Sequence, residues 1–314
     1  MTMQINSERD AFLNRVYMKS NSKNSLLHAT KALKKFDEYL AQSNQTESSF
    51  IDEFTNKPIT DIGIYNACND IIASMSSLDP ASQQTYFSVM RNYLITKGII
   101  TMDAFMKSYV SFPKKVKERR HALDLAQLQA IIKNSNMKYR ALYSLLAVSG
   151  MRITEALSLG MNDVDWDSYP VKIRIRAETT KTVEERESYM TGEVFTKFVK
   201  PLIVNKKENE LIFWSDYPVL EIHPAQAVSY FHRLRAKLGF NEKYKTGFYH
   251  VNQHSMRAWF FTKAAMKHKS DYAHAMLGHH EYLATYFILP DEERKQLYLD
   301  LEPELALYSS SANE

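Results

Sequence analysis

Hydrophobic residues recur every three or four positions through the first third of the chain. Between residues 26 and 42 they are one helical turn apart, with basic residues on the opposite face: Leu26, Ala29, Leu33, Phe36 and Leu40. Segments 59–75 and 81–98 repeat this pattern, the last one ending at Gly98. Pro80 follows an aspartate, which is typical of a turn leading into a helix. The pattern predicts a helical domain over residues 21–112, preceded by an extension over residues 1–20.

The pattern breaks at Pro113, where a charged stretch follows and a new amphipathic run begins at Leu123. We interpret 113–121 as a basic linker and 122–314 as a second domain, with a C-terminal tail from about residue 291. The strongest strand signal lies at 171–176, where apolar and basic residues alternate before a polar turn. The fold class predicted is therefore mainly α with a small antiparallel β-sheet at 171–190.

Composition narrows the class of protein. The chain has 314 residues, 45% of them hydrophobic, which is enough for two domains with cores. Its single cysteine, Cys68, cannot form an internal disulfide, which fits a reducing compartment. No secretory signal and no run of bilayer length is visible, so we expect a cytoplasmic protein without a membrane partner. Asp163, Asp165 and Asp167 alternate without a nearby His or Cys, and no metal site is predicted.

Positive charge is clustered, although the net charge is only +4. Cationic side chains are concentrated in an early helix and in the linker: Lys31, Lys34, Lys35, Lys114, Lys115, Lys117, Arg119 and Arg120. Clustered cations release counterions from a nucleic-acid backbone, so these residues are predicted to contact double-stranded DNA. The alternative is a solvated run of charges with no ligand.

Four short motifs carry the chemistry. They contain, in chain order, Arg152 with Glu155, His254 with Arg257, His279, and Tyr286. Arginines neutralise non-bridging phosphate oxygens, histidines move protons, and a tyrosine hydroxyl attacks phosphorus. His254 and Arg257 are about one helical turn apart, so both side chains reach the same face. The set suits cleavage of a phosphodiester through a covalent protein–phosphate link.

These motifs, in this order and with their apolar flanks, resemble the tyrosine recombinase (phage integrase) family over residues 122–290. The resemblance implies a helical core-binding domain and a catalytic domain that close around duplex DNA as a clamp. It also implies a 3′-phosphotyrosyl intermediate formed without metal, ATP or another cofactor. The catalytic residues would be Arg152, Lys181, His254, Arg257, His279 and Tyr286. Glu155 would orient Arg152, and Lys181, in the turn between two strands, would protonate the leaving 5′ oxygen.

Two positions have competitors. Tyr286 follows His279 by seven residues, whereas many bacterial members have about nine, and other tyrosines lie nearby at 282 and 298. Some archaeal and viral members resemble the segment around Tyr286 more closely, which favours an integrase of an archaeal or viral mobile element. Lys172 is the alternative to Lys181, and His280 is the alternative to His279.

Other functions use the same motifs. An Xer-type chromosome-dimer resolvase, a type IB topoisomerase and an inactive DNA-binding protein on this fold all stay open. The C-terminal tail is rich in leucine, at positions 297, 299, 301, 305 and 307. We expect these leucines to dock on a neighbouring protomer, giving a homo-oligomer, a tetramer on DNA, through exchange of the tail.

Overall fold

The chain forms two compact units in a computed structural model, Met1–Lys117 and Glu118–Glu314. The structure describes residues 7–115, 118–180, 184–213, 224–278 and 289–308. The division falls inside the segment 113–121 that the sequence predicts as a linker. None of the helices in the described ranges combines the length and apolar character needed to cross a bilayer.

In the described part of the first unit, all regular secondary structure is helical. Its helices are α1 Glu8–Ser20, α2 Lys23–Gln42, α3 Glu47–Thr55, α4 Ile62–Ser74, α5 Pro80–Thr96 and α6 Asp103–Tyr109. The apolar stripe of α2 is buried, with Ala29 and Phe36 fully inaccessible. At the start of α5, the Asp79 carboxylate accepts hydrogen bonds from the Ala81 and Ser82 amides, confirming the turn before Pro80.

The prediction of a separate extension over residues 1–20 is wrong for residues 8–20. Phe12 of α1 is buried and lies edge-on to Tyr93, with ring centroids 5.2 Å apart. Arg9 donates two hydrogen bonds to the Asp37 carboxylate, at 2.9 and 2.6 Å. Because α1 shares a core with α2 and α5, it belongs to the helical unit.

The second unit is mainly helical around a small sheet. Its helices are α7 Leu125–Lys133, α8 Met137–Ser149, α9 Ile153–Leu157, α10 Gly192–Val194, α11 Lys200–Ile203, α12 Pro224–Lys237, α13 His254–His268, α14 Ser270–Leu277 and α15 Asp291–Leu301. Helix α8 runs through the middle of the core, since every residue from 141 to 150 is buried. This buried part of α8 is mostly apolar, with Ser144 and Ser149 as its polar residues.

The strands are β1 Val164–Asp165, β2 Val171–Ile175 and β3 Arg186–Met190, in antiparallel order β1-β2-β3. Ile173 pairs with Ser188 and Ile175 with Arg186. The apolar residues of β2 are buried and its basic residues are more exposed, which confirms the alternation seen in the sequence. The sheet brings Arg186, the first residue of β3, beside α9 and the end of α14.

The tail packs on its own chain. Tyr298, Leu301, Leu305 and Leu307 are fully buried in the core of the second unit. The Tyr298 hydroxyl donates to the Val148 carbonyl at 2.8 Å, and the Gln129 amide donates to the Leu307 carbonyl at 2.6 Å. Leu301, Leu305 and Leu307 are therefore covered within this chain, whereas Leu297 and Leu299 are partly exposed. Docking of the tail on a neighbouring protomer stays a prediction.

Candidate active site

Three of the predicted catalytic side chains line one open cleft of about 360 Å³. Arg152 lies on one wall, and His254 and Arg257 lie at the start of α13. The opposite wall is formed by α12 through Phe231, His232 and Arg235. The other predicted positions lie outside the described residues: Lys117, Lys181, His279, His280, Tyr282 and Tyr286.

The end of α8 positions Arg152. Gly150 closes that helix in the left-handed region, with φ +65°, and a Cβ there would come within 2.5 Å of Leu277 and Phe260. Glycine is therefore required both by the backbone and by the packing. The chain then turns into α9, and Glu155 accepts from the Arg152 backbone N–H at 2.7 Å and from its guanidinium at 2.8 Å.

Glu155 holds a second arginine. Arg186, the first residue of β3, donates two hydrogen bonds to the Glu155 carboxylate, at 3.1 and 2.6 Å. The Glu155 side chain is fully buried. Burial raises the pKa of Glu155, but the hydrogen bonds and charges of Arg186 and Arg152 outweigh it, so the net pKa lies below its ordinary value. The carboxylate is therefore held ionised between two guanidinium groups.

Arg257 connects two motifs through the backbone. Its guanidinium donates to the Gly150 carbonyl at 2.5 Å and to the Leu277 carbonyl at 2.8 Å. Burial, followed by the charges of Arg152 and Arg186, lowers the pKa of Arg257 to about 9. Burial is the larger cause, and an anion in the cleft would offset the part that comes from the neighbouring positive charges.

Arg186 also supports the segment before His279. Gly278 ends α14 with φ +63°, and a Cβ on it would lie 2.8 Å from the Arg186 Cδ. Arg186 therefore contacts both Glu155 and the turn that leads to His279. The β2–β3 turn that contains Lys181 ends on the same strand.

His254 opens α13 and is exposed to the cleft. Its backbone N–H donates to the Asn252 side chain at 2.9 Å, just before the helix begins. Desolvation and then the positive charges of Arg257, Arg152 and Arg120 lower the pKa of His254. The imidazole is thus kept neutral, in a form that can accept a proton.

The basic residues predicted to contact DNA divide into two groups. Those exposed to solvent are Lys31, Lys34, Lys114, Lys115, Arg119 and Arg120. Lys35 is half-buried, and its ammonium group lies 2.6 Å from Glu38. An intrahelical ion pair of this kind leaves Lys35 less available to a phosphate than its exposed neighbours.

Lys172, the alternative to Lys181, and Tyr298, an alternative to Tyr286, both have partners within the fold. Lys172 lies 2.6 Å from Glu187 on the neighbouring strand. Tyr298 is fully buried, and burial raises its pKa well above the ordinary value, so its hydroxyl stays protonated. Among the described residues no cluster of His, Cys, Asp and Glu is arranged to hold a metal ion.

Sequence reasoning missed Arg186, His232 and Arg235. No local signal marks Arg186, because its partner Glu155 is 31 residues away. His232 and Arg235 fall on one face of α12, but only the fold shows that this face borders the cleft.

A family model described as the phage integrase family matches residues 121–286 of the chain. The chain belongs to this family. A comparison of this phage integrase family member with curated proteins found no match.

Solved structures share its fold. A lambda integrase tetramer bound to a Holliday junction is 14% identical, with a TM-score of 0.62 over 93% of this chain and 81% of that one. XerH recombinase bound to a difH substrate is 16% identical, with a TM-score of 0.59 over 92% and 84% of the two chains. The Tn1549 transposon integrase in complex with circular intermediate DNA is 14% identical, with a TM-score of 0.51 over 85% and 98%.

Proposed function

We propose that this integrase-family member is an active site-specific DNA recombinase that cleaves and rejoins DNA through a 3′-phosphotyrosyl intermediate. The observation that carries the proposal is the convergence of Arg152, His254 and Arg257 on one cleft. Two guanidinium groups and a neutral imidazole in a single cleft suit a phosphodiester better than an uncharged ligand.

The reaction would combine covalent catalysis by Tyr286 with stabilisation of the charge that develops on the phosphate. When the Tyr286 oxygen attacks phosphorus, negative charge develops on the non-bridging oxygens. Arg152 has one N–H group bound to Glu155, which leaves the others for the phosphate. Arg257 is anchored by two backbone carbonyls, so its orientation needs little reorganisation when the charge appears.

Proton movements complete the step. The neutral His254 can accept a hydrogen bond or a proton near the attacking phenol, and the family resemblance assigns His279 a supporting role at the phosphate. The 5′ oxygen leaves with a proton from Lys181, so the P–O bond to that oxygen breaks as the P–O bond to Tyr286 forms. Attack of a 5′ hydroxyl from a partner duplex then reverses the step and releases the tyrosine.

Strand exchange requires more than one protomer on DNA, so we also propose a homo-oligomer, with a tetramer as the working form. The lambda integrase of similar fold is a tetramer bound to a Holliday junction. Exchange of the tail between protomers would have to replace the cis packing of α15 with an equivalent site on a neighbour. Without such an exchange, residues outside the tail would form the interface between protomers.

Covalent trapping tests the proposal directly. The full chain would be incubated with a nicked fragment library of the genome that encodes it, and denaturant-resistant protein–DNA adducts would be isolated. Peptide mapping should place the DNA on Tyr286, and sequencing should return one recurring site. DNA binding without any adduct would contradict the proposed activity and favour a binding-only protein. Relaxation of plasmid without joining of two duplexes would favour the topoisomerase alternative.

A further inference from the structure

An arginine without an acidic partner in the described part of the chain lines the cleft from α12. Arg235 is only 5% exposed, and its guanidinium carbon lies 3.2 Å from the centroid of the Tyr249 ring. Its buried Nε has no hydrogen-bond acceptor. Among the described residues, no carboxylate lies within ion-pair distance of this guanidinium. A buried, unpaired charge is expensive unless a ligand completes it.

A second cation shares the same ring. Residues 240–250 fold back as a short hairpin in which Lys243 pairs with Tyr249. The Lys243 ammonium lies 4.5 Å from the Tyr249 centroid. An aromatic ring attracts each cation weakly but does not neutralise either one. Arg235 and Lys243 therefore both lie within 4.5 Å of the Tyr249 centroid.

The hairpin is anchored to the start of the second unit. The Tyr244 hydroxyl accepts from the His121 backbone N–H at 2.6 Å, and the Lys245 backbone N–H donates to Glu118 at 2.6 Å. These bonds fix the Tyr249 ring relative to the cleft. The Arg235–Tyr249–Lys243 group is therefore held in place by the fold before any ligand arrives.

Arg235 reaches the cleft from α12, whereas Arg152 lies at the start of α9 and Arg257 in the first turn of α13. A DNA strand that places one phosphate at Arg152 and Arg257 would carry its next phosphates along the cleft, toward α12.

We propose that Arg235, stacked on Tyr249 and assisted by Lys243, binds a non-scissile backbone phosphate of the DNA strand that enters the cleft. This inference rests on the proposed function, because it takes DNA as the ligand. The site binds and positions the DNA strand, whereas Arg152 and Arg257 act on the reacting phosphate.

The salt dependence of DNA binding tests the site. Affinity of the full chain for a fluorescein-labelled duplex of mixed sequence would be measured by anisotropy over a range of salt concentrations. Each phosphate contact contributes about 0.9 to the slope of log affinity against log salt. Arg235→Gln should reduce the slope by about that amount and weaken binding about tenfold at low salt. Tyr249→Leu should reduce both values, and Tyr249→Phe, which keeps the ring, should retain them.

The matched control is Arg294→Gln. Arg294 lies 3.6 Å from Glu187 and 3.8 Å from Asp291, so its charge is already partnered and the slope should not change. Thermal unfolding of each variant separates loss of the contact from loss of the fold. If Arg235→Gln does not fold, the comparison of Tyr249→Leu with Tyr249→Phe decides the question.

The results distinguish this inference from the proposed function. An unchanged slope for folded Arg235→Gln and Tyr249→Leu overturns the phosphate site, whether or not the protein forms covalent adducts. A reduced slope in a protein that forms no adduct supports the phosphate site and contradicts the recombinase. If inorganic phosphate stabilises the wild type but not Arg235→Gln, and the DNA slope is the same for both, the site binds free phosphate and the inference is wrong.

Discussion

Arg186 provides a sharp test of how the cleft is organised, because its side-chain hydrogen bonds among the described residues go to the supporting Glu155 and not to Arg152, His254 or Arg257. It donates two hydrogen bonds to the fully buried Glu155, and Glu155 in turn holds the backbone and the guanidinium of Arg152. Arg186→Gln would remove the guanidinium and leave Arg152 as the only cation on that carboxylate.

The expected loss of stability follows from burial. Removing one partner of a buried ion pair costs about 3–5 kcal/mol, and Arg152 keeps the loss at the lower end, about 3 kcal/mol. For a unit of this size that corresponds to a fall in Tm of about 6–12 °C. Cleavage should also slow about a hundredfold, because Arg152 loses part of the support that fixes its position.

The pH dependence identifies the cause. The pKa of Glu155 is depressed in the folded protein, so its ion pairs stabilise the fold above the unfolded pKa of about 4.3 and lose that effect as pH falls through the folded value. Arg186→Gln raises the folded pKa, so the difference in Tm between wild type and variant should narrow below about pH 4.

Arg174→Gln is the control for this test. Arg174 lies on the neighbouring strand, is 60% exposed and pairs with Glu185 at 2.7 Å. An exposed pair of this kind contributes little, so its Tm and its cleavage rate should match wild type. If Arg186→Gln shows the same Tm as wild type at every pH and cleaves DNA normally, the positioning role is wrong.

Four further outcomes are expected. Tyr286→Phe should keep DNA binding by anisotropy and lose every covalent adduct on denaturing gels. Lys181→Ala should slow cleavage, and a substrate with a 5′-bridging sulfur should restore the rate, because a thiolate leaves without a proton. Arg120→Ala should raise the pKa of His254 toward 6.5, measured by NMR titration, because it removes one of the charges that lower it. Truncation after residue 292 should yield an unfolded or aggregated second unit by circular dichroism, since it deletes four fully buried side chains. A folded truncation that binds DNA would contradict the cis packing of the tail.

Much of the architecture could be predicted from the sequence because it depends on local patterns. The spacing of apolar residues along α2 and their alternation along β2 follow from the geometry of a helix and a strand, whatever the rest of the chain does. The order of the four motifs indicated the family before any fold was known, and Gly150 marks the helix end that presents Arg152.

The tertiary structure alone decided where long-range partners meet. Arg186 finds Glu155 across 31 residues, and Arg257 reaches carbonyls 107 and 20 residues away, because a sheet and a buried helix bring those segments together. Nothing in the local sequence encodes such pairings. The tail shows the same limit, since a leucine-rich segment is equally apolar whether it covers its own core or a neighbour's. Its place in this chain is set by the space beside α8, a property of the packed core and not of any segment read alone.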